Sequence, residues 1–215
     1  MYMRKQFQYA AIFALLLGST AAAADLEAGK VIVLQGNGKA NSACVACHGA
    51  QGAGNAQAAF PQLARLNADY LAKQLSDFKR GTRKDAVMQP IAKALSEKDI
   101  ADVSAYFAVQ RPPAPTTTAD TKLLTRGELL AVSGFWDKDV PACVSCHGPA
   151  GRGVGAHFPA LAGQHASYIA KQLNAWRSGT RANDPQGLMK GIAVRLPASD
   201  ISAVSAYLAS LPSAP

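Results

Sequence analysis

Two segments of this chain, each some eighty residues long, carry the same residues in the same order. Cys44-Val45-Ala46-Cys47-His48-Gly49 returns as Cys143-Val144-Ser145-Cys146-His147-Gly148, and Phe60-Pro61-Gln62-Leu63-Ala64 as Phe158-Pro159-Ala160-Leu161-Ala162. Tyr70 and Lys73-Gln74-Leu75 return as Tyr168 and Lys171-Gln172-Leu173; Gly81-Thr82-Arg83 returns as Gly179-Thr180-Arg181; Met88, Leu95 and Tyr106 return as Met189, Leu196 and Tyr207. The offset runs from 99 to 98 to 101, so the second copy has lost one residue and gained three. Copies this similar fold alike, which constrains the chain to two small domains rather than one large one. Between them, Arg111 to Thr118 is rich in Pro and Thr and cannot sustain a helix or a central strand.

The expected organisation is a leader over 1–24, a first domain over 25–110, a linker over 111–121 and a second domain over 122–215. Arg4 and Lys5, the apolar run Tyr9 to Leu17 and Ala22-Ala23-Ala24 before Asp25 read as a cleaved secretory signal. That run is well short of the ~20 residues a spanning helix needs. Export to the periplasm follows, into a compartment that permits disulfides and disfavours reduced dithiol chemistry.

Inside each copy the apolar period is helical. Ile100, Val103, Tyr106 and Phe107, and again Ile201, Val204, Tyr207 and Leu208, fall three to four apart. Ser96 with Asp99 reads as a capping box; Pro197 occupies the equivalent place in the second copy, so that helix starts differently. Leu26 to Leu34, Tyr70 to Phe78, Leu123 to Val132 and Tyr168 to Trp176 are further helices, and no alternating run reads as a strand. The expected class is all-α with Gly-rich loops.

Small helical units are short of core, and all four cysteines lie in the two C-x-x-C-H motifs. That motif is the attachment signature of c-type haem. Cys44 and Cys47, and Cys143 and Cys146, sit on one face of a helical turn, where their sulfurs reach the two vinyl edges of a porphyrin. His48 or His147 then lies beneath the iron as proximal ligand. Structural zinc pairs C-x-x-C units some 15 to 20 residues apart, whereas these are 99 apart. A thioredoxin-like motif wants a βαβ context, and plain disulfides leave the repeated histidine unexplained.

Past the signal only Met88 and Met189 remain, at equivalent places 40 and 42 residues after the two histidines. Both lie in loop-like surroundings, which makes them the expected sixth ligands. The first copy has no histidine beyond its motif, and His157 and His165, found only in the second, read as surface or haem-periphery residues. Histidine-methionine ligation makes haem iron comparatively oxidising.

Each half resembles a class I cytochrome c domain, and the whole is similar to the two-haem cytochrome c4 family, through the motifs above and Ala162-Gly163-Gln164-His165 and Asn183-Asp184-Pro185. The resemblance implies tandem all-α domains, each wrapped around one of two covalent haem c groups. It also implies that the Pro61 and Pro159 carbonyls accept the proximal imidazole N–H, and that Gly29 packs on Tyr106 and Gly127 on Tyr207. Arg65-Leu66-Asn67 departs from the Gly-Gln-His of the second copy, and the Asn-Asp-Pro step is missing from the first. A methionine that closes the iron points to an electron carrier rather than an enzyme. By resemblance, its donor is a membrane cytochrome complex or a periplasmic dehydrogenase and its acceptor a terminal oxidase or reductase. The alternative is a dihaem subunit of a dehydrogenase complex acting on sulfur or other compounds.

Removing Arg4 and Lys5 from the 22 basic residues leaves 20 against 14 acidic ones, a net +6. That excess suits an acidic protein partner or peripheral contact with anionic lipid. Without a basic cluster it does not suit nucleic acid, and Lys73 and Lys171 read as ordinary solvated side chains.

Overall fold

The structure, a computed structural model, describes residues 23–39, 43–113 and 119–213. Most of the leader, and residues 114–118 of the linker, lie outside these. The first lobe holds α1 (Leu26–Gln35), α2 (Val45–His48), α3 (Ala68–Arg80), α4 (Met88–Lys93) and α5 (Glu97–Ala108). The second repeats the order with α6 (Thr121–Ser133), α7 (Val144–His147), α8 (Ala166–Ser178), α9 (Leu188–Ala193) and α10 (Ala198–Ser210). Among the described residues β structure is confined to isolated bridges, and no helix is long and apolar enough to cross a membrane.

The helix starts follow from their capping residues. Asp25 accepts the Glu27 and Ala28 N–H groups at 2.9 and 3.0 Å, and Asp120 does the same for α6. Ser96 and Asp99 form a reciprocal capping box on α5, a device whose loss costs about 1 kcal/mol. At α10 the N-cap is Pro197, with no side-chain bond. The freed Asp200 instead takes a two-pronged ion pair from Arg126 of α6, at 2.9 and 2.8 Å.

Within each lobe the first helix crosses the last, α1 on α5 and α6 on α10. The crossing is close because Gly29 and Gly127 lie at it: a Cβ on either would run into the carbonyl of Asp102 or Ala203, and both glycines abut the Cβ of Tyr106 or Tyr207. Beneath the crossing, Ile32, Val33, Leu71, Ile100, Val103 and Phe107 form one core, and Leu130, Val140, Ile169, Leu173, Ile201, Val204 and Leu208 the other. Each such side chain contributes about 1.5–3 kcal/mol on burial. The turn ahead of α3 and α8 needs a left-handed residue: Gly163 supplies it at φ 73° in the second lobe, while Arg65 is held at φ 63° in the first. A β-carbon there costs roughly 1–2 kcal/mol.

Candidate haem centres

The two C-x-x-C-H segments fold identically. Cys44 caps α2 and accepts the His48 N–H at 2.9 Å, as Cys143 does for His147 at 2.9 Å. One helical turn thus carries both cysteines and ends on the histidine. Gly49 and Gly148 leave that turn at φ 72° and 77°, and the chain folds back so that Gly54 and Gly153 donate to the His48 and His147 carbonyls.

Both imidazoles are buried, at 6% and 7% exposure. Nδ1 of His48 lies 3.1 Å from the Pro61 carbonyl, and Nδ1 of His147 lies 2.8 Å from that of Pro159. Since a carbonyl only accepts, Nδ1 carries the hydrogen, and Nε2 keeps its lone pair. Burial pulls both histidines below their ordinary pKa, against the opposing pull of the carbonyl bond, so the rings are neutral. Phe60 and Phe158 stand 6.2 Å from them, centroid to centroid. Burial pushes the Cys44 thiol up and the Cys143 thiol up to about 11. With no bound group these two are therefore thiols at neutral pH, unlike the low-pKa thiolates of redox-active cysteines.

Met88 and Met189 are half-buried, and neither sits in a loop: Met88 opens α4 and Met189 is the second residue of α9. The reason is local. The Asp85 carboxylate accepts the Val87 and Met88 N–H groups, both at 3.0 Å, nucleating a turn that apolar periodicity does not reveal. In the second lobe the three extra residues make a 3-10 turn, Pro185–Gly187, and Asp184 accepts from Lys190. Met189 packs against the second core together with Cys143.

The lobes meet at a polar seam. Arg83 and Arg181 pair as an antiparallel bridge with 7% and 6% of their surface exposed. Arg83 donates to Gln74 of its own lobe and to Tyr168 and Gln172 of the other, at 2.9–3.0 Å. Arg181 donates to Gln172 of its own lobe and Gln74 of the other, at 2.7 and 3.1 Å, and Tyr70 bonds it in turn. Asp77 receives Lys73, Arg80 and the Asn183 amide. Gln62 and Gln164 exchange two bonds, 2.9 and 2.8 Å. His165 is not peripheral: its Nε2 lies 2.8 Å from the Ala53 carbonyl across the seam. Lys73, paired with Asp77 and 3.3 Å from the Asn183 carbonyl, is likewise a seam residue, while His157 and Lys171 are exposed. The seam was foreshadowed by Tyr-x-x-Lys-Gln-Leu and Gly-Thr-Arg, polar residues repeated at fixed places.

Residues 27–108 and 135–212 each match the family described as Cytochrome c. The chain belongs to the cytochrome c family. Its relatives include the thiosulfate dehydrogenase electron acceptor of Stutzerimonas stutzeri (strain A1501), 47% identical over 94% of this chain and 93% of the relative. Cytochrome c4 of Thiocapsa roseopersicina is 44% identical over 82% and 91%. Among solved structures, reduced cytochrome c4 from Pseudomonas stutzeri superposes with a TM-score of 0.78 at 40% identity, covering 88% of this chain and all of that one. Thiosulfate dehydrogenase (TsdBA) from Marichromatium purpuratum does so at 0.81 and 42% identity, covering 87% of this chain but only 40% of that longer chain. The molecule is a dihaem cytochrome of the c4 type, an electron-transfer protein with one haem c attached to Cys44 and Cys47 and another to Cys143 and Cys146.

The residues present fit such a group. Two buried guanidiniums at the seam have mostly neutral acceptors, and the indole Nε1 of Trp176 is buried with no acceptor among the described residues. Buried donors of this kind call for an anion, and haem brings carboxylates.

Proposed function

We propose that this dihaem cytochrome works in the periplasm as the electron acceptor of a dehydrogenase that oxidises a reduced sulfur compound, and passes the electrons to a terminal oxidase or reductase. The relatives at 47% and 45% identity that carry the name thiosulfate dehydrogenase electron acceptor are the observation that supports this donor. The signal-like 1–24 segment supports export.

In this reading His48 and Met88 would hold the haem iron in the first lobe, and His147 and Met189 in the second. The haem would supply one-electron chemistry. The chain's own residues hold it in a reactive state: Pro61 and Pro159 fix the imidazole tautomer and orientation, the two apolar cores exclude water, and the thioether ligands favour the reduced form. Arg83, Arg181 and their glutamines fix the lobes relative to one another, which sets a constant path for an electron between them.

The test mixes oxidised protein with purified thiosulfate dehydrogenase and thiosulfate, and follows the haem absorbance. Reduction of both haems that requires all three components supports the proposal. No reduction by that couple, with prompt reduction by a quinol-oxidising membrane complex, would instead make the protein a carrier between membrane complexes. A binary complex surviving gel filtration would make it a dehydrogenase subunit.

A further inference from the structure

At the end of the third helix the two lobes differ at five successive positions, Ser76 to Arg80 against Asn174 to Ser178, and one of these changes an aromatic ring: Phe78 in the first lobe is Trp176 in the second. Each ring lies under its lobe's seam arginine, Arg83 at 4.5 Å from the Phe78 centroid and Arg181 at 4.0 Å from that of Trp176. Trp176 packs against the same core as Cys143 and Met189. The ring thus shares its core with the cysteine that would tether the second haem and the methionine that would ligate it. The phenyl ring has no polar edge, whereas the indole has one N–H, and that N–H is fully buried without an acceptor.

A buried donor left unbonded is destabilising by about 1–3 kcal/mol, so a position that keeps one calls for a partner. The other orphaned hydroxyls, Ser104 and Ser205, recur at equivalent places in both lobes; the indole does not. Among the described residues the indole has no hydrogen-bond partner, and the acidic residue of the seam, Asp77, is taken by Lys73, Arg80 and Asn183. The buried guanidinium stacked on the ring marks the same spot as a place for negative charge.

We infer that Trp176 donates its indole N–H to a carboxylate of the second haem, a hydrogen bond the first lobe cannot make. It rests on the second haem being in place on Cys143 and Cys146. The bond draws negative charge away from the iron's neighbourhood. Less negative charge stabilises the oxidised iron less, so the potential of that haem rises. Trp176 is a positioning and tuning residue; it touches the cofactor and not the donor or acceptor protein.

The experiment uses reduced holoprotein labelled with 15N-tryptophan. Only two tryptophans are present, and Trp136, 69% exposed, serves as internal reference. The Trp176 indole proton is expected downfield of that of Trp136, exchanging with solvent at least a hundredfold more slowly. In Trp176→Phe, the spectrum should still report two haems per chain, with the second redox step moved to lower potential and the first unmoved. A packing role alone would leave the indole proton of the unsubstituted protein without the downfield shift and slow exchange of a bonded donor, so the two readouts are taken together. An indole proton upfield of the Trp136 signal, or a second step unmoved in Trp176→Phe, overturns the inference. The indole measurement needs no substitution, so it decides the matter even if the variant fails to take up haem. Failure of thiosulfate dehydrogenase to reduce the protein would leave this result untouched.

Discussion

The two lobes secure the same helix crossing in different ways. In the first, Asp102 is 2% exposed and is served by Lys98 one turn away on its own helix and by the Asp25 N–H at 2.8 Å. In the second, Asp200 of α10 reaches across to Arg126 of α6. A lysine that is 57% exposed bridges nothing but its own helix, whereas the arginine ties two helices through a planar fork. Duplicated domains thus keep the contact that fixes their shape, glycine against carbonyl, and vary the polar contact that supports it.

The largest test of that comparison removes one haem. Cys143→Ala with Cys146→Ala should yield one haem per chain by mass, with a protease-sensitive second lobe and an intact first one. Next, Met189→His should lower only the second redox step, by on the order of 0.1–0.3 V within the ~0.8 V that axial ligands span; the mirror variant Met88→His should lower only the first. Arg126→Ala orphans a carboxylate that is 5% exposed and should destabilise the second lobe by about 1–3 kcal/mol, seen as an earlier denaturant midpoint. Lys98→Ala should do less to the first lobe, its ammonium being screened by water.

Acid separates the lobes at the seam. Burial raises the Asp77 carboxyl, but the bonds from Lys73 and Asn183, the Lys73 charge and Arg80 outweigh it and hold the group below its ordinary 3.8. A carboxyl depressed in the folded state binds fewer protons there than when unfolded. Its stabilising effect is therefore present above about pH 4 and lost as pH falls through the lower folded value. Asp77→Asn should flatten that acid limb in a pH titration of unfolding. Ala175, the equivalent residue, can contribute nothing of the kind. The smallest effect is Ser96→Ala, about 1 kcal/mol on the first lobe alone, since α10 has no side-chain cap to lose.

Much of this was legible in the residues. The long helices, the Ser96 capping box and the change at Pro197 follow from local rules that need no tertiary context, whereas the glycines at the crossings are read from the family resemblance. The short helices at the methionines were not legible, because α4 and α9 span six residues each and owe their start to the Asp85 and Asp184 carboxylates rather than to an apolar stripe. The roles of His165, Lys73 and Gln164 were hidden for another reason. Each bonds across the seam to a residue about 100 positions away, and although the repeated polar residues hint at a shared face, the sequence does not say which residue of one lobe meets which of the other.

The pairing of Arg83 with Arg181 bears on how the lobes assemble. Each arginine contacts a glutamine of its own lobe and the same glutamine of the other, so the seam relates its halves by an approximate two-fold axis. A lobe bearing that arginine and glutamine has a self-complementary face. Joined in one chain, two such faces meet independently of concentration, and each copy is free to differ from the other, as Gln164, Asn183 and Trp176 differ from Leu66, Asp85 and Phe78.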